Sequence, residues 1–192
     1  MKNITEFVFS FLTDGFPFVL IVLPMYVILR MIYLGLKGSI KRKKLDDPFR
    51  EVVMLMFVIY LTLLFVQTWV VDTGGANEIN LIPFSIIREQ IISRNHSDSS
   101  YRLFLLNILG NIGVFVPIGM CLAYFYQSSV RKTALAGFCL SLVIELGQLP
   151  LDRTSDVDDL ILNTSGAIIG WLIYITLVWF MRKMKKAEYI RS

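Results

Sequence analysis

The sequence predicts an all-α integral membrane protein, a bundle of about five transmembrane helices. Three observations lead there. Hydrophobic residues fill 55% of 192 positions and charged residues only 18%, giving a mean hydropathy of +0.63, too apolar for an ordinary soluble domain of this size. The apolar residues fall in uninterrupted runs of about 20, the length of helix that crosses ~30 Å of hydrocarbon. They do not alternate with period two, as the strands of a membrane β-barrel would.

Taken in order, the chain opens with "NITEFVFSFLTDG", an apolar stretch too short to cross and followed by no small-residue cleavage signature, read as an interfacial helix. Spans are expected at residues 15–37, 51–71, 102–126, 132–151 and 160–181. The basic stretches "KGSIKRKKLDDPFR", "VRK" and "RKMKK" follow the first, third and fifth spans and hold most of the 19 Lys and Arg residues. Positive charge marks the cytoplasmic side, so the expected topology is N-out and C-in. The opposite side receives most of the 15 acidic residues. The implied organisation is an N-terminal part, residues 1–71, with the interfacial segment and two spans; a second membrane domain, residues 72–181, with a long outer loop and three spans; and a basic cytoplasmic tail, residues 182–192.

Composition also narrows the chemistry. A single histidine, His96, and two cysteines inside apolar runs, Cys121 and Cys139, argue against a histidine-rich zinc site and a disulfide framework. The net charge of +4 is carried beside the spans, where it orients the protein, so no nucleic-acid partner is expected. Membrane lipids are the expected surroundings, in a multi-pass protein of the cell membrane.

Placing the spans gives each polar residue a depth. Glu145 lies about 9 Å below the outer end of the fourth span, and Asn107 and Asn111, one turn apart on the third, lie roughly 8 to 14 Å deep. Asn163 is one turn into the fifth span, and Gln67 is near the outer end of the second. A polar cluster in the outer half of the bundle follows. Gly137, Ser141, Glu145 and Gln148 share one stripe of the fourth span, and Asp156, Asp159, Asn163, Gly166 and Gly170 share one on the fifth. Small residues there permit close helix approach, with the polar ones facing inward. Interhelical packing alone would account for the asparagines; Glu145, an ionisable residue inside a span, is a candidate acid or base and needs a partner, a proton or water. Arg102 and Arg153 are candidate partners from the outer rim.

The loop "LDRTSDVDDLILN" concentrates Asp152, Asp156, Asp158 and Asp159 around Arg153. Oxygen ligands at this density make Asp156, Asp158 and Asp159 candidates for a divalent cation, although the spacing is no EF-hand. Ser155 followed by Asp158 also fits a helix cap. Arg153 is suited to a phosphate or carboxylate. In the outer loop, "NLIPF" reads as a turn in which Asn80 caps or bonds locally, and "SIIREQII" as an amphipathic surface helix.

"NLIPF", "NILGNIGVFVPIG", "SLVIELGQ" and "RTSDVDDLILNTSGAIIG" resemble, in that order, the motifs of the VanZ-like family of membrane proteins. The resemblance covers roughly residues 80–170. The member that gives the family its name is associated with low-level resistance to the glycopeptide teicoplanin, so the resemblance implies a cell-envelope role in a Gram-positive bacterium. It carries no established reaction. By motif it points to Asn80, Asn107, Asn111, Glu145, Gln148, Arg153, Asp156, Asp159 and Asn163.

Three functions compete. The first is binding of a lipid-anchored or lipophilic envelope ligand at the outer leaflet, a lipoglycopeptide antibiotic or a cell-wall precursor, by Asn80, Arg102, Asn107, Asn111, Glu145, Gln148, Arg153, Asp156, Asp159 and Asn163. The second is an intramembrane enzyme acting on a lipid-linked phosphate or peptidoglycan precursor, with Glu145 as acid or base and the aspartates on a cation. The third is a structural or accessory membrane subunit. Binding is ranked first, with no cofactor expected and a divalent cation left open.

Overall fold

The computed structural model describes residues 4–40, 48–71, 79–85, 88, 98–151 and 155–191. Among these are five helices: α1 (Ile4–Ile40), α2 (Pro48–Trp69), α3 (Asp98–Tyr126), α4 (Val130–Gln148) and α5 (Val157–Arg191). Two further pieces, β1 (Ile79–Asn80) and β2 (Ser155–Asp156), pair in parallel. The chain divides into two compact units, Met1–Thr73 and Gly74–Ser192.

In the first unit α1 and α2 pack antiparallel. The missing Cβ of Gly15 makes room for the Leu63 side chain, and nearer the other end of α1 Arg30 reaches Glu51. That contact is bidentate, Nε to Oε2 at 2.8 Å and Nη2 to Oε1 at 2.5 Å, with the Arg30 guanidinium also 5.1 Å from the Tyr33 ring centre. A planar guanidinium suits this fork geometry, which neutralises two charges between otherwise apolar helices.

The expected interfacial helix is not a separate element. Helix α1 runs unbroken from Ile4, through Gly15 and both Pro17 and Pro24. Gly15 ends nothing because it is a packing glycine, buried against Leu63, rather than a C-cap. At the other terminus α5 continues to Arg191, so residues 182–191 extend the last helix instead of forming a distinct tail.

The second unit is built on a close approach of α3 and α5. A Cβ on Gly166 would meet the Ile112 carbonyl oxygen at 2.2 Å, one on Gly170 that of Val116 at 2.0 Å, and one on Gly119 that of Ala167 at 1.9 Å. The pairing rises along both helices together, so α3 and α5 are parallel. Helix α4 runs antiparallel to α5, with Gly137 against the Ala167 methyl and Ser141 against Asn163. Ala167, 0% exposed, is where all three meet. Glycine permits backbone contact of this kind, in which dispersion rather than water exclusion does the holding.

Among the described residues four helices are long and apolar enough to cross a membrane: Leu12–Leu36 within α1, Pro48–Trp69, Asn107–Tyr126 within α3, and Val157–Glu188 within α5. Helix α4, the expected fourth span, is not among them. It carries three charges, Arg131, Lys132 and Glu145, in 19 residues, and its buried face consists of Thr133, Gly137, Ser141, Ile144, Glu145 and Gln148. Its exposed face is the apolar one, with Leu135, Phe138, Leu142, Val143 and Leu146 turned outward. This reverses the arrangement of a water-soluble amphipathic helix.

The glycine contacts give a direct expectation. Gly170→Ala should push α3 from α5 and destabilise the protein by about 1 to 3 kcal/mol. Gly113→Ala, where a Cβ meets nothing within 4 Å, should be neutral or mildly stabilising. Thermal unfolding of both variants in detergent checks the pair.

Candidate functional site

The second unit gathers polar side chains from four places in the chain. Its keystone is the β1–β2 pairing, with Ile79 opposite Ser155 and Asn80 opposite Asp156, which joins the outer-loop motif to the start of α5. The Asn80 amide donates to Asp156 Oδ2 at 3.0 Å and to the Ser85 hydroxyl, and its Oδ1 accepts the Ile82 N–H at 3.1 Å. The last bond is the local turn expected of Asn80; the bond across 76 residues is not a turn contact at all.

Pro83 has no N–H, and the chain then bends through Phe84 in the left-handed region, φ 61°. That turn aims the Phe84 N–H at Asp158 Oδ1, 2.5 Å away. A bulky residue in this conformation costs of order 1 to 3 kcal/mol, offset here by the hydrogen bonds on either side. The rest of "SIIREQII" lies outside the described residues apart from Ser85 and Arg88, the latter donating its N–H to the Phe84 carbonyl at 2.8 Å.

The cap of α5 is Asp156, whose Oδ1 accepts the Asp158 N–H at 2.8 Å. The expected Ser155 cap is one residue early, because pairing with Ile79 holds Ser155 in extended backbone and the helix starts after it. Ser155 instead donates its hydroxyl to the Glu145 carbonyl at 3.3 Å, tying β2 to α4. Asp158 serves as acceptor for the turn rather than as cap.

On the neighbouring faces, Asn111 donates to Asp159 Oδ1 and, at 3.3 Å, to Asn107 Oδ1. Asn163 donates to Ser141 at 2.9 Å, fully inside the unit. Glu145, 7% exposed, and Gln148 lie buried on the same face of α4. The carboxyl of Asp159 is within electrostatic range of those of Glu145, Asp156 and Asp158. Two buried acceptors, Glu145 Oε2 and Asp158 Oδ2, have no donor among the described residues.

Asn80, Asn107, Asn111, Glu145, Asp156, Asp158, Asp159 and Asn163 are therefore linked or adjacent through α3, α4, α5 and the β pairing. Gln67 lies on α2, in the first unit. The side chain of Arg102 and the whole of Arg153 lie outside the described residues. Among the described residues no group of three or more His, Cys, Asp and Glu side chains is arranged to hold a metal ion. Oxygens of Asp156, Asp158 and Asp159 instead accept from Asn80, Phe84 and Asn111 respectively. Ser85 and Ser155 were not singled out as site residues: a serine in a loop carries no periodic signal, and only the long-range pairing reveals its partner.

A family model described as VanZ/LLP1 matches residues 49–180 of the chain, which includes every residue of this cluster. Searches of curated proteins and of solved structures found no match.

The cap and the cross-link can be separated by experiment. Asp156→Ala should cost about 1 to 2 kcal/mol, whereas Asp156→Asn, still a good cap, should retain most of the stability. Combining Asn80→Ala with Asp156→Ala should cost less than the sum of the two, by about 0.5 kcal/mol or more, since both remove one bond. Strict additivity in unfolding measurements would mean that the Asn80–Asp156 bond contributes nothing.

Proposed function

Because the chain belongs to the VanZ/LLP1 family, we propose that it is a multi-pass protein of a bacterial cell membrane that holds the polar head of a lipid-anchored or lipophilic envelope ligand at the outer leaflet, conferring low-level teicoplanin resistance. The observation that carries this reading is the pair of buried carboxylate oxygens, Glu145 Oε2 and Asp158 Oδ2, left without donors among the described residues. An unsatisfied buried acceptor costs about 1 to 3 kcal/mol. A ligand head that donates, through hydroxyl or amino groups, removes that cost on binding. The acyl chain that teicoplanin carries and vancomycin lacks would remain in lipid, beside the apolar outer face of α4.

The reading orients the chain N-out and C-in with all five helices across the membrane. Although α4 carries Arg131, Lys132 and Glu145, a helix with its polar face inward and its leucines outward is stable against lipid rather than water. The basic residues after α1, between α3 and α4, and along the end of α5 favour the cytoplasmic side for those segments. In a variant with Cys121 and Cys139 replaced by alanine, His96→Cys should react with a membrane-impermeant maleimide in intact cells, and Ser192→Cys only after lysis. The opposite labelling pattern would invert the topology and remove the outer-leaflet site.

The functional test compares teicoplanin and vancomycin susceptibility in a sensitive Gram-positive host. Wild type should raise the inhibitory concentration of teicoplanin and leave that of vancomycin unchanged. Glu145→Gln, present in membranes at normal abundance, should lose the effect. Equal protection against both drugs, or none from well-expressed wild type, would overturn the resistance reading.

A further inference from the structure

Helix α5 begins among carboxylates and ends among cations. From Val157 to Arg182 it rises about 37 Å, more than the thickness of a hydrocarbon core. At that far end a cavity of about 390 Å³ opens between the last turn of α3 and the end of α5, lined by Gln127, Ser128, Tyr174, Val178, Trp179 and Arg182.

The cavity follows from how α3 stops. Gln127 adopts a left-handed φ of 49°, and its N–H closes the final turn on the Ala123 carbonyl at 3.1 Å. The chain reverses at once, with Ser129 capping α4 and the Ser128 hydroxyl 2.6 Å from Thr133 Oγ1. The Ser128 carbonyl is fastened to the Trp171 indole N–H at 2.6 Å. This fixes the turn beside the middle of α5, whose next turns, from Tyr174 through Val178 to Arg182, wall the hollow past the end of α3.

Charge and polarity at the hollow match one kind of occupant. Arg182 lines it, and no carboxylate of a described residue pairs with that guanidinium. Lys183 sits 5.2 Å from the ring centre of Trp179, placing a second cation on the rim. Arg131 and Lys132 begin α4, Lys185 and Lys186 follow on α5, and Glu188 is the single described acid in the last three turns of α5. A guanidinium among neutral hydroxyl and amide groups selects a phosphate-like anion. The other walls are apolar, and two of them, Ile175 and Trp179, are also exposed, a surface suited to acyl chains rather than to a free ion in water.

We propose that this cavity binds the phosphate headgroup of an anionic glycerophospholipid, held by Arg182 with Ser128 and Gln127 and covered by Trp179, at the membrane face opposite the acidic cluster. The site is separate from the one proposed above and does not depend on teicoplanin.

The test is retention of lipid by the purified full-length protein, read by native mass spectrometry after incubation with equal amounts of phosphatidylglycerol and phosphatidylcholine of the same acyl chains. Wild type should retain phosphatidylglycerol in preference. Arg182→Ala should weaken that retention about tenfold, the loss of one charge-assisted hydrogen-bonded contact. Arg182→Lys should recover part of it, and Lys186→Ala, outside the cavity, should match wild type. Unfolding temperatures equal to wild type would show that these exposed substitutions leave the fold intact. Undiminished retention by Arg182→Ala, equal retention of the two lipids, or an equal loss in Lys186→Ala would overturn the site. Glycerol 3-phosphate distinguishes the sources of phosphate: displacement of the lipid at matched concentration would reassign the cavity to a soluble phosphate.

Discussion

Everything in the second unit rests on the backbone contact of α3 with α5. Three glycines, Gly119, Gly166 and Gly170, set these helices so close that a methyl group would strike a carbonyl, and Ala167 brings α4 to the same point through Gly137. Such contacts permit no sliding, because a shift by one residue puts a side chain where only a hydrogen fits. Register is therefore fixed by sterics, and the polar pairs inherit it: Asn111 meets Asp159, and Asn163 meets Ser141. Each polar contact adds little alone, below about 1 kcal/mol on average in membrane bundles. Their placement is what the packing supplies.

The same constraint explains why α4 is polar inside. At Gly137 its buried face meets the Ala167 methyl, and on either side of that contact space of that size suits Thr133 and Ser141 better than leucine. Burying these groups requires partners, and most have them. Glu145 and Asp158 each keep one oxygen without a donor among the described residues, a local energetic deficit at one end of the scaffold. Deficits of this sort recur at functional sites, where surrounding structure over-determines an unfavourable arrangement.

Much of this was legible in the sequence. Apolar runs gave the five helices and their order, and the spacing of Gly137, Ser141, Glu145 and Gln148 gave the inward stripe of α4. Other features have no local signature. Two-residue strands lack any period, so the pairing of Asn80 with Asp156 is invisible until the fold joins them. The cap moved by one residue for the same reason. Arg30 is different: a charge inside the first span is a recognised signal, and its Glu51 partner at the start of α2 could have been sought. Gly119 stood in a quoted motif, yet only its neighbour across the helix pair shows why it must be glycine. The continuity of α1 through Gly15 has no local signature either, since in three dimensions that glycine is a seat for Leu63.

The β1–β2 pairing also has a consequence in time. Asn80 waits for a partner 76 residues downstream, and at ribosomal rates of about 5 to 20 residues per second that wait is roughly 4 to 15 seconds. Helices α3 and α4 are made during that interval, before α5 exists to pack between them. Phe84 has no reason to enter its left-handed conformation until Asp158 arrives to accept its N–H. The polar cluster can therefore close only once α5 has begun, and a chain truncated before β2 would carry Asn80, Asn107, Asn111 and Glu145 without the partners that α5 and its cap supply.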